Sequence, residues 1–381
     1  MAYFDNAATT FPKPECVYQY MDEFYRVSGA NAGRGQYQLS KSVGALIQDT
    51  RMKLQKLLHC PTKQVVFTPT ATLALNIILQ GLIKNGCFHV YISPFEHNAV
   101  TRTLHAYEQS GAIKVHLFSV SKNMEYDLQR IRYQFDSIRP DLVIMSHASN
   151  VCGLVAPVEE IFQIAKKYAA VTVMDMAQTA GLVDCNVGLS VYDFAVFAGH
   201  KTLYGPTGFS GFVMNPEIEL PAVIFGGTGY ESANQNMPES IPERYEMGTL
   251  NIVGAAGLNA ALGWIEEIGI AKIAKREKEN REYLLSVLSE YDFMKIVGNS
   301  KRGEYVGLVS CLIDGISSDS AGVIFDQCGI AVRTGLHCAP LAHQFLGTYP
   351  AGTVRFSVSY FTSEEEYEEL RRALDYIGDN L

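Results

Sequence analysis

The sequence has no long apolar run, no tract of one charge and no paired cysteines. No apolar run approaches the length of a membrane-spanning helix, and the first ten residues lack the basic start and apolar core of a signal peptide. We therefore expect a cytoplasmic protein without a membrane partner. Acidic residues outnumber basic ones by 40 to 31, and no lysine or arginine tract could follow a phosphate backbone, so nucleic acid is not an expected partner.

The eight cysteines form no recognisable pattern. They include no Cys-x-x-Cys pair, and no cluster of cysteine and histidine has the spacing of a zinc site. We therefore expect free thiols and no metal site. The cysteines stand at positions 16, 60, 87, 152, 185, 311, 328 and 338.

Alternating strand and helix patterns predict the fold. The chain has 381 residues, of which 48% are hydrophobic, and this is enough for a large core and roughly two or three domain-sized units. Short β-branched runs alternate with longer helical patterns, which predicts an α/β fold with a mostly parallel sheet covered by helices. The predicted strands are 65–68, 89–93, 113–120, 141–146, 171–175 and 193–198.

The C-terminal third of the sequence departs from this alternation. A helix-rich stretch over about 253–290 predicts a link to a second, smaller α/β unit. We therefore predict a large domain over 14–255 and a small domain over 256–381. The strands of the small domain are predicted at 306–313, 331–335 and 353–359, and its helices at 317–328 and 363–378.

Polar clusters follow several of the predicted strands. In a sheet of this kind, a ligand lies beyond the carboxyl ends of the strands. We therefore expect the clusters to converge on one crevice. They are Thr70-Ala71-Thr72, Glu96-His97, Asn150, Asp175 and Lys201.

Lys201 is the most informative residue of the sequence. It follows an apolar run, has His200 beside it, and leads into a turn that contains Gly205 and Gly208. A desolvated amine has a lowered pKa and becomes a nucleophile toward carbonyls, so this position suits a lysine that forms a Schiff base. The alternative is a buried or snorkelling lysine, whose stem packs while its head reaches water.

Asp175 and residues 70–72 suit one particular cofactor, pyridoxal 5'-phosphate. A carboxylate at the end of the predicted strand 171–175 could keep the pyridine nitrogen of that cofactor protonated, and Gln178 lies three residues further on. Hydroxyls and amides at 70–72 could hold its phosphate at the start of a helix. Simpler alternatives remain, because Asp175 could end a loop or cap a helix and Thr70 could be an N-cap.

A histidine, two arginines and a cysteine would complete the site. The imidazole of His97 could stack on a pyridine ring and still transfer protons, although a lone histidine is more often structural. Arg333 and Arg355 could bind a substrate carboxylate through paired hydrogen bonds. Cys338 lies in a loop bounded by glycine and proline beside His337, which suits an exposed thiolate, whereas the alternative is a buried and inert thiol.

Together these motifs resemble those of the cysteine desulfurases, enzymes with the class V aminotransferase fold, along essentially the whole chain. The lysine and cysteine motifs are the most specific part of the resemblance. The shared motifs are Phe4-Asp-Asn-Ala-Ala-Thr-Thr10, Glu96-His97, Asp175-Met-Ala-Gln178, Gly199-His-Lys201, Tyr204-Gly-Pro-Thr-Gly208 and Arg333-Thr-Gly-Leu-His-Cys338-Ala339.

The resemblance implies a pyridoxal-phosphate enzyme of fold type I that forms a homodimer with shared active sites. Residues 1–13 would pack onto the small domain, and Thr249 and Arg34 would reach into the neighbouring subunit. The chain also departs from the family pattern, which has other residues at Tyr37, Thr70, Leu73, Ala198 and Leu336. Cofactor contacts are expected from Thr70, Ala71, Thr72, His97, Asn150, Asp175, Gln178, His200, Lys201 and Thr249, and substrate contacts from Asn150, Arg333 and Arg355.

The activity implied by the resemblance is the conversion of L-cysteine to L-alanine, with the sulfur transferred to Cys338 as a persulfide. Lys201, Cys338 and His97 would be the catalytic residues. A selenocysteine lyase or related β-lyase acting on L-selenocysteine remains an alternative, as do a class V aminotransferase and an inactive sulfur carrier. Only sixteen residues separate Cys338 from Arg355, which predicts a tethered persulfide whose turnover is helped by a sulfur-accepting protein.

Overall fold

The computed structural model describes residues 1–31, 35 and 37–381. Within this part of the chain no helix is both long enough and apolar enough to cross a membrane. In chain order the elements are β1 (Ala2–Tyr3), α1 (Glu15–Ser28), α2 (Gln38–Leu57), β2 (Gln64–Thr68), α3 (Ala71–Lys84), β3 (His89–Ile92), α4 (Asn98–Gln109), β4 (Lys114–Leu117), α5 (Leu128–Ser137), β5 (Leu142–Ser146), α6 (Val158–Lys166), β6 (Val171–Asp175), β7 (Phe194–Phe197), β8 (Ser210–Met214), α7 (Ile252–Ile268), α8 (Ile270–Ser289), β9 (Met294–Val297), β10 (Leu308–Ile313), α9 (Ser318–Gln327), β11 (Ile330–Ala331), β12 (Arg333–Gly335), α10 (Pro340–Leu346), β13 (Thr353–Ser357) and α11 (Glu364–Asp379).

A seven-stranded sheet forms the centre of the fold, in the order β2-β8-β7-β6-β5-β3-β4. Strands β4, β3, β5, β6 and β7 pair in parallel, whereas β8 is antiparallel to both β7 and β2. The prediction of a mostly parallel sheet is therefore confirmed. All strands except β8 run in one direction, so their carboxyl ends lie along one edge of the sheet.

The sequence pattern does not predict β8, which carries a glycine at its second position. At Gly211 a side-chain carbon would collide with the backbone oxygen of Val66 on β2 and approach the ring of Phe197 on β7. Glycine is therefore needed at Gly211 because three strands pack closely there. Because glycine has no side chain, it also weakens the apolar β-branched pattern by which a strand is predicted from the sequence.

Helices cover both faces of this sheet. On one face α3 and α4 pack against alternate strand residues, including Ile92, Ile144 and Val196. On the other face α2, α5, α6 and α7 contribute to a core that contains Tyr91 and Met145. Because the central strands are covered on both faces, β5, β7 and β8 are buried along their whole length.

A four-stranded antiparallel sheet, in the order β12-β13-β10-β9, lies in the C-terminal part of the chain. Its apolar residues form a separate core with α8, α9 and α11, and β1 contributes Ala2 to it. Strand β1 pairs in parallel with β11, which places the N-terminus beside this sheet. The predicted boundary between 255 and 256 falls inside α7, a helix that packs against α1 and α2, and the domain division stays a prediction.

Candidate active site

A cavity of about 270 Å³ opens at the carboxyl edge of the large sheet. It lies where loops after β2, β3, β5, β6 and β7 meet strands β12 and β13. Ala7, Ala8 and Ser146 also line the cavity and are not among the site residues predicted from the sequence. The sequence-predicted residues that line it are Thr70, Ala71, Thr72, His97, Asn150, Asp175, Gln178, His200, Lys201, Arg333 and Arg355.

Two predicted residues lie elsewhere in the structure. Cys338 lines a groove that adjoins the cavity and shares Thr72 and His97 with it. Thr249 is exposed and does not line the cavity formed by the described part of this chain. Arg34, which was expected to reach a neighbouring subunit, lies outside the described residues.

The turn after β7 presents Lys201 to the cavity. Its backbone nitrogen donates to the oxygen of Ala198 at 3.3 Å, and the nitrogen of Gly205 donates to the oxygen of Gly199 at 2.8 Å. A side chain at Gly199 would collide with the oxygen of Phe209, so the turn needs glycine there. These contacts close the turn from which Lys201 lines the cavity.

Burial lowers the pKa of Lys201 to about 8. The carboxylate of Asp175 opposes this shift, whereas the guanidinium groups of Arg355 and Arg333 add to it. A fraction of about one tenth of the amine is therefore neutral at pH 7, compared with about 0.03% for an ordinary lysine. Burial therefore increases the share of Lys201 in the neutral form, which is the form in which an amine attacks a carbonyl.

Asp175 is the last residue of β6 and is buried. Its Oδ1 accepts a hydrogen bond from the backbone nitrogen of Ala177 at 2.9 Å, as a residue that ends a strand and opens a turn does. Burial raises the pKa of this carboxyl group, while the bond from Ala177 and the charge of Lys201 oppose the rise. Asp175 thus serves the local turn and also faces the lysine in the cavity.

Thr70 is the N-cap of α3, and its side chain accepts a hydrogen bond from the nitrogen of Leu73 at 3.1 Å. The hydroxyl of Thr70 therefore acts as an N-cap in the structure, which is the simpler alternative expected from the sequence. The first turn of α3 still faces the cavity through Thr70, Ala71 and Thr72. Free amide groups at a helix start attract anions, so this end of the cavity suits a phosphate.

His97 has a similar double position. It is the N-cap of α4, and its Nδ1 accepts a hydrogen bond from the nitrogen of Ala99 at 3.0 Å. Burial lowers its pKa to about 4, and the charge of Lys201 contributes to the shift. The ring is therefore neutral at pH 7, and because Nδ1 is the acceptor, Nε2 carries the proton.

Glu96, next to His97, is fully buried and anchors this loop to β5. Its carboxyl group accepts hydrogen bonds from the nitrogen and hydroxyl of Ser146 and from the hydroxyl of Ser93, at 2.6–2.9 Å. Burial raises its pKa to about 7. These contacts make Glu96 a structural support for the position of His97.

Arg333 and Arg355 lie opposite each other on the antiparallel strands β12 and β13. Arg355 is buried, and its Nη2 pairs with Oδ1 of Asp5 at 2.9 Å while its Nη1 donates to the backbone oxygen of Asn150 at 2.8 Å. The Nε of Arg355 is buried and has no partner among the described residues. Two like charges in register favour a bound anion between them.

The amide groups of Asn150 and Gln178 already have protein partners. Nδ2 of Asn150 donates to the backbone oxygen of His337 at 2.6 Å, and Nε2 of Gln178 donates to the oxygen of Ala7 at 3.0 Å. Both side chains are buried and line the cavity. Their remaining oxygen atoms are the groups that could contact a ligand.

The loop that carries Cys338 is held tightly. His337 and Cys338 both have positive φ angles, 47° and 57°, and the backbone oxygen of Cys338 accepts a hydrogen bond from the nitrogen of Asn98 at 2.6 Å. The ring of His337 contacts the hydroxyl of Thr353 at 2.9 Å, and α10 begins two residues after Cys338. The partly exposed thiol of Cys338 lies 3.7 Å from Nη2 of Arg333.

The cavity as a whole has the charges and donors that suit an anionic aromatic aldehyde. An amine with a lowered pKa faces a carboxylate, and a helix start lies at one end. The buried Nδ1 of His200 and Nε of Arg355 have no partners in the described part of the chain, so both would gain from a polar ligand. No group of three or more possible metal-ligating side chains occurs among residues 1–31, 35 and 37–381.

Comparison with known proteins assigns the family. The family model "Aminotransferase class-V" matches residues 2–370. A "Probable cysteine desulfurase" of Methanothermobacter thermautotrophicus is 32% identical and aligns over 99% of this chain and 94% of its own length, and one of Pyrococcus abyssi is 31% identical over 100% and 94%. The apo structure of a cysteine desulfurase from Thermococcus onnurineus NA1 superposes with a TM-score of 0.91 at 30% identity, covering 100% of this chain and 95% of the other. The chain belongs to the aminotransferase class-V family, and its fold is that of the cysteine desulfurases.

Proposed function

We propose that this chain is a pyridoxal-phosphate-dependent cysteine desulfurase, which converts L-cysteine to L-alanine and transfers the sulfur to Cys338. The observation that carries the proposal is the arrangement of Lys201, Asp175 and Cys338. The first two face each other in the cavity, and the third lies in the adjoining groove beside Arg333. A plain aminotransferase would need the lysine and the arginines but would have no use for a partly exposed thiol in that place.

The residues present fit the cofactor. Lys201 would hold it covalently, Asp175 would pair with its ring nitrogen, and the start of α3 would take its phosphate together with His200. His97 would lie against its ring. When bound, pyridoxal phosphate supplies a sink for the electron pair that develops on the substrate carbon.

The side chains of this protein then have separate tasks. Arg355 binds the substrate carboxylate, and Lys201 removes the proton from Cα. The thiolate of Cys338 attacks the substrate sulfur, so that a new S–S bond forms while the bond between Cβ and sulfur breaks. The electron pair of the broken bond stays with the carbon fragment, which takes up a proton and leaves as alanine.

The short cysteine loop determines how the sulfur leaves the enzyme. The contacts of His337, the bond from Asn98 and the start of α10 hold Cys338 at the mouth of the site. A persulfide in this position is protected but is delivered slowly. We therefore propose that a sulfur-accepting protein or a thiol reductant speeds turnover, so that alanine appears in a fast first phase and a slow steady state.

The shared active site of a homodimer is part of the same proposal. The segment 225–250 contains little regular structure and exposes the large side chain of Phe225, which is 70% accessible. Thr249 lies in this segment and away from the cavity of its own chain, as a residue that serves a partner's site would. Mixing a Thr249→Ala variant with a Lys201→Ala variant should restore activity only if sites are shared.

A Cys338→Ala variant tests the reaction directly. It should still bind cysteine, because Arg355 and Lys201 are unchanged, but it should lose nearly all alanine formation from L-cysteine. Cys328→Ala, at the partly exposed end of α9, is the matched control and should keep full activity. Unchanged cysteine turnover by Cys338→Ala would contradict persulfide transfer, and turnover of selenocysteine alone by the wild type would identify a selenocysteine lyase.

A further inference from the structure

The N-terminal residues Asp5–Lys13, named here the N-terminal strap, connect three separate parts of the site. Asp5 pairs with Arg355 on β13, and the oxygen of Ala7 accepts a hydrogen bond from Gln178 after β6. The hydroxyl of Thr10 donates to the backbone oxygen of Lys201 at 2.7 Å. The strap therefore contacts Arg355, Gln178 and Lys201 directly, in addition to the small sheet beside which it begins.

The turn that carries Lys201 receives further contacts from the strap. The backbone oxygen of His200 accepts hydrogen bonds from the nitrogen of Thr10 at 3.1 Å, from the hydroxyl of Thr9 at 3.1 Å and from Nζ of Lys13 at 2.8 Å. Three donors on one carbonyl group fix its direction. A displacement of the strap would therefore change the positions of both Lys201 and Arg355.

Asp5 is the only member of the strap with a carboxylate, and its partner is the most deeply buried arginine of the site. The side chain of Arg355 is 2% accessible and that of Asp5 is 22% accessible. Burial lowers the pKa of Arg355, and the charge of Asp5 opposes this. Asp5 thus balances the charge of a buried guanidinium that lies beside the like charge of Arg333 on the neighbouring strand.

The contacts of Arg355 also fix the plane of its guanidinium group. Asp5 holds Nη2, and the backbone oxygen of Asn150 holds Nη1. Arginine has five N–H donors, so these two contacts leave others for a ligand, including the unpartnered Nε. A carboxylate gains the most from arginine when two parallel hydrogen bonds form, and this requires a fixed plane.

We propose that Asp5 is a positioning residue for the substrate: it orients Arg355 for the substrate carboxylate and makes the affinity for that carboxylate depend on the N-terminal strap. This rests on the proposed function in one respect, namely that Arg355 binds the carboxylate. Asp5 itself does not touch the reacting atoms. Its removal should therefore weaken the binding of amines that carry a carboxylate and spare amines that lack one.

The experiment compares two amines on the cofactor-loaded protein, L-cysteine and cysteamine, which is cysteine without its carboxylate. Binding is followed by the change in cofactor absorbance, and alanine is measured in parallel. Asp5→Ala should raise the half-saturating concentration of cysteine about 10-fold, the usual effect of losing one charge-assisted hydrogen bond, and should leave that of cysteamine within about 2-fold. The single-turnover rate at saturating cysteine should stay within about 2-fold of the wild type.

Three further variants separate positioning from structural damage. Asp5→Glu should recover most of the cysteine affinity, and Asp5→Asn, which keeps the shape, should lie between the wild type and Asp5→Ala. Glu366→Gln is the matched control, because Glu366 binds the backbone nitrogen of Tyr3 at 2.9 Å and anchors β1 without contacting the cavity. It should change neither affinity.

Two outcomes would overturn the proposal. Equal weakening of cysteine and cysteamine by Asp5→Ala and Asp5→Asn would make Asp5 a general support of the fold. Tighter binding of cysteine by these variants would make Asp5 a counter-charge that only reduces the positive potential of the two arginines. Failure of the proposed function is distinguishable, because the wild-type protein would then form no alanine while the two binding curves could still be compared.

Discussion

The state of Lys201 without cofactor gives a quantitative prediction. Burial lowers its pKa to about 8, from an ordinary value of 10.5, so the neutral fraction at pH 7 should be about 300 times that of an ordinary lysine. Brief treatment of the cofactor-free protein with a trace of acetic anhydride, followed by mass spectrometry of peptides, measures this fraction, because only the neutral amine reacts. The acetylation rate of Lys201 should rise with pH and level off above about pH 9.

The effect of Asp175 on the pKa of Lys201 can be tested by its direction. Its carboxylate raises the pKa of Lys201, so Asp175→Asn should move the midpoint of the acetylation curve to lower pH. The rate at pH 7 should then increase, by at most about 10-fold, because one tenth of the amine is already neutral in the wild type. The perturbation thus makes Lys201 more reactive toward the reagent while it removes the proposed partner of the cofactor ring.

Lys13 is the internal control for this experiment. Burial alone lowers its pKa to about 7, and its Nζ donates to the oxygen of His200 at 2.8 Å. Its acetylation curve should therefore be unchanged in Asp175→Asn. The reasoning is refuted if Lys201 in the wild type reacts no faster at pH 7 than the exposed Lys301, or if Asp175→Asn shifts the Lys201 curve to higher pH.

The remaining predictions concern stability. Burial raises the pKa of Glu277 on α8 to about 8, so the folded state holds a proton there that the unfolded state has released, and stability should fall as pH rises from about 4.5 through 8. Glu277→Gln should therefore raise the free energy of unfolding at pH 9 by up to about 5 kcal/mol, measured as a higher melting temperature, and should have little effect at pH 4. The control variant Glu282→Gln, which is exposed on the same helix, should have little effect at either pH. Gly352→Ala should destabilise the protein by more than about 1 kcal/mol beyond Gly347→Ala in urea unfolding, because both glycines have φ near 75° but only at Gly352 would the new carbon collide with the backbone of Gly335. Equal losses in the two glycine variants would show that the φ angle alone matters.

The sequence was sufficient for the architecture because burial leaves a simple pattern. Strands covered on both faces appear as apolar β-branched runs, and each of the six predicted runs contains a strand of the large sheet. Strands β1, β8 and β9 are not predicted by the sequence pattern: β1 has only two residues, β8 contains Gly211, and β9 is a short strand of four residues with an exposed Lys295. Close packing and edge position both weaken the pattern on which the prediction depends.

The candidate site was predicted less completely, because its residues are joined by contacts that sequence distance conceals. Asp5 and Arg355 are separated by 350 positions, and no pattern near either of them indicates a pair. The motif from Phe4 to Thr10 enters the prediction only through the resemblance, although Ala7 and Ala8 line the cavity and Thr9 and Thr10 hold the lysine turn. Likewise, the sequence could not show that Thr70 and His97 cap helices while they face the cavity, since capping and ligand binding use the same groups.

The charges of the site explain why these double roles are compatible. Burial lowers the pKa of His97 and His200 to about 4 and that of His337 to about 2, so the three imidazoles are neutral at pH 7 and add no cations to the cavity. The positive charge is then concentrated on the two arginines and on the protonated fraction of Lys201. The carboxylate of Asp5 balances the charge of Arg355, and the carboxylate of Asp175 balances that of Lys201. In the proposed function, the carboxylate of a substrate would pair with Arg355 on β13 and its amine would lie near Lys201. Cys338 lies in the adjoining groove, with its sulfur 3.7 Å from Nη2 of Arg333, so the thiol and the arginines that would bind the substrate belong to a single arrangement.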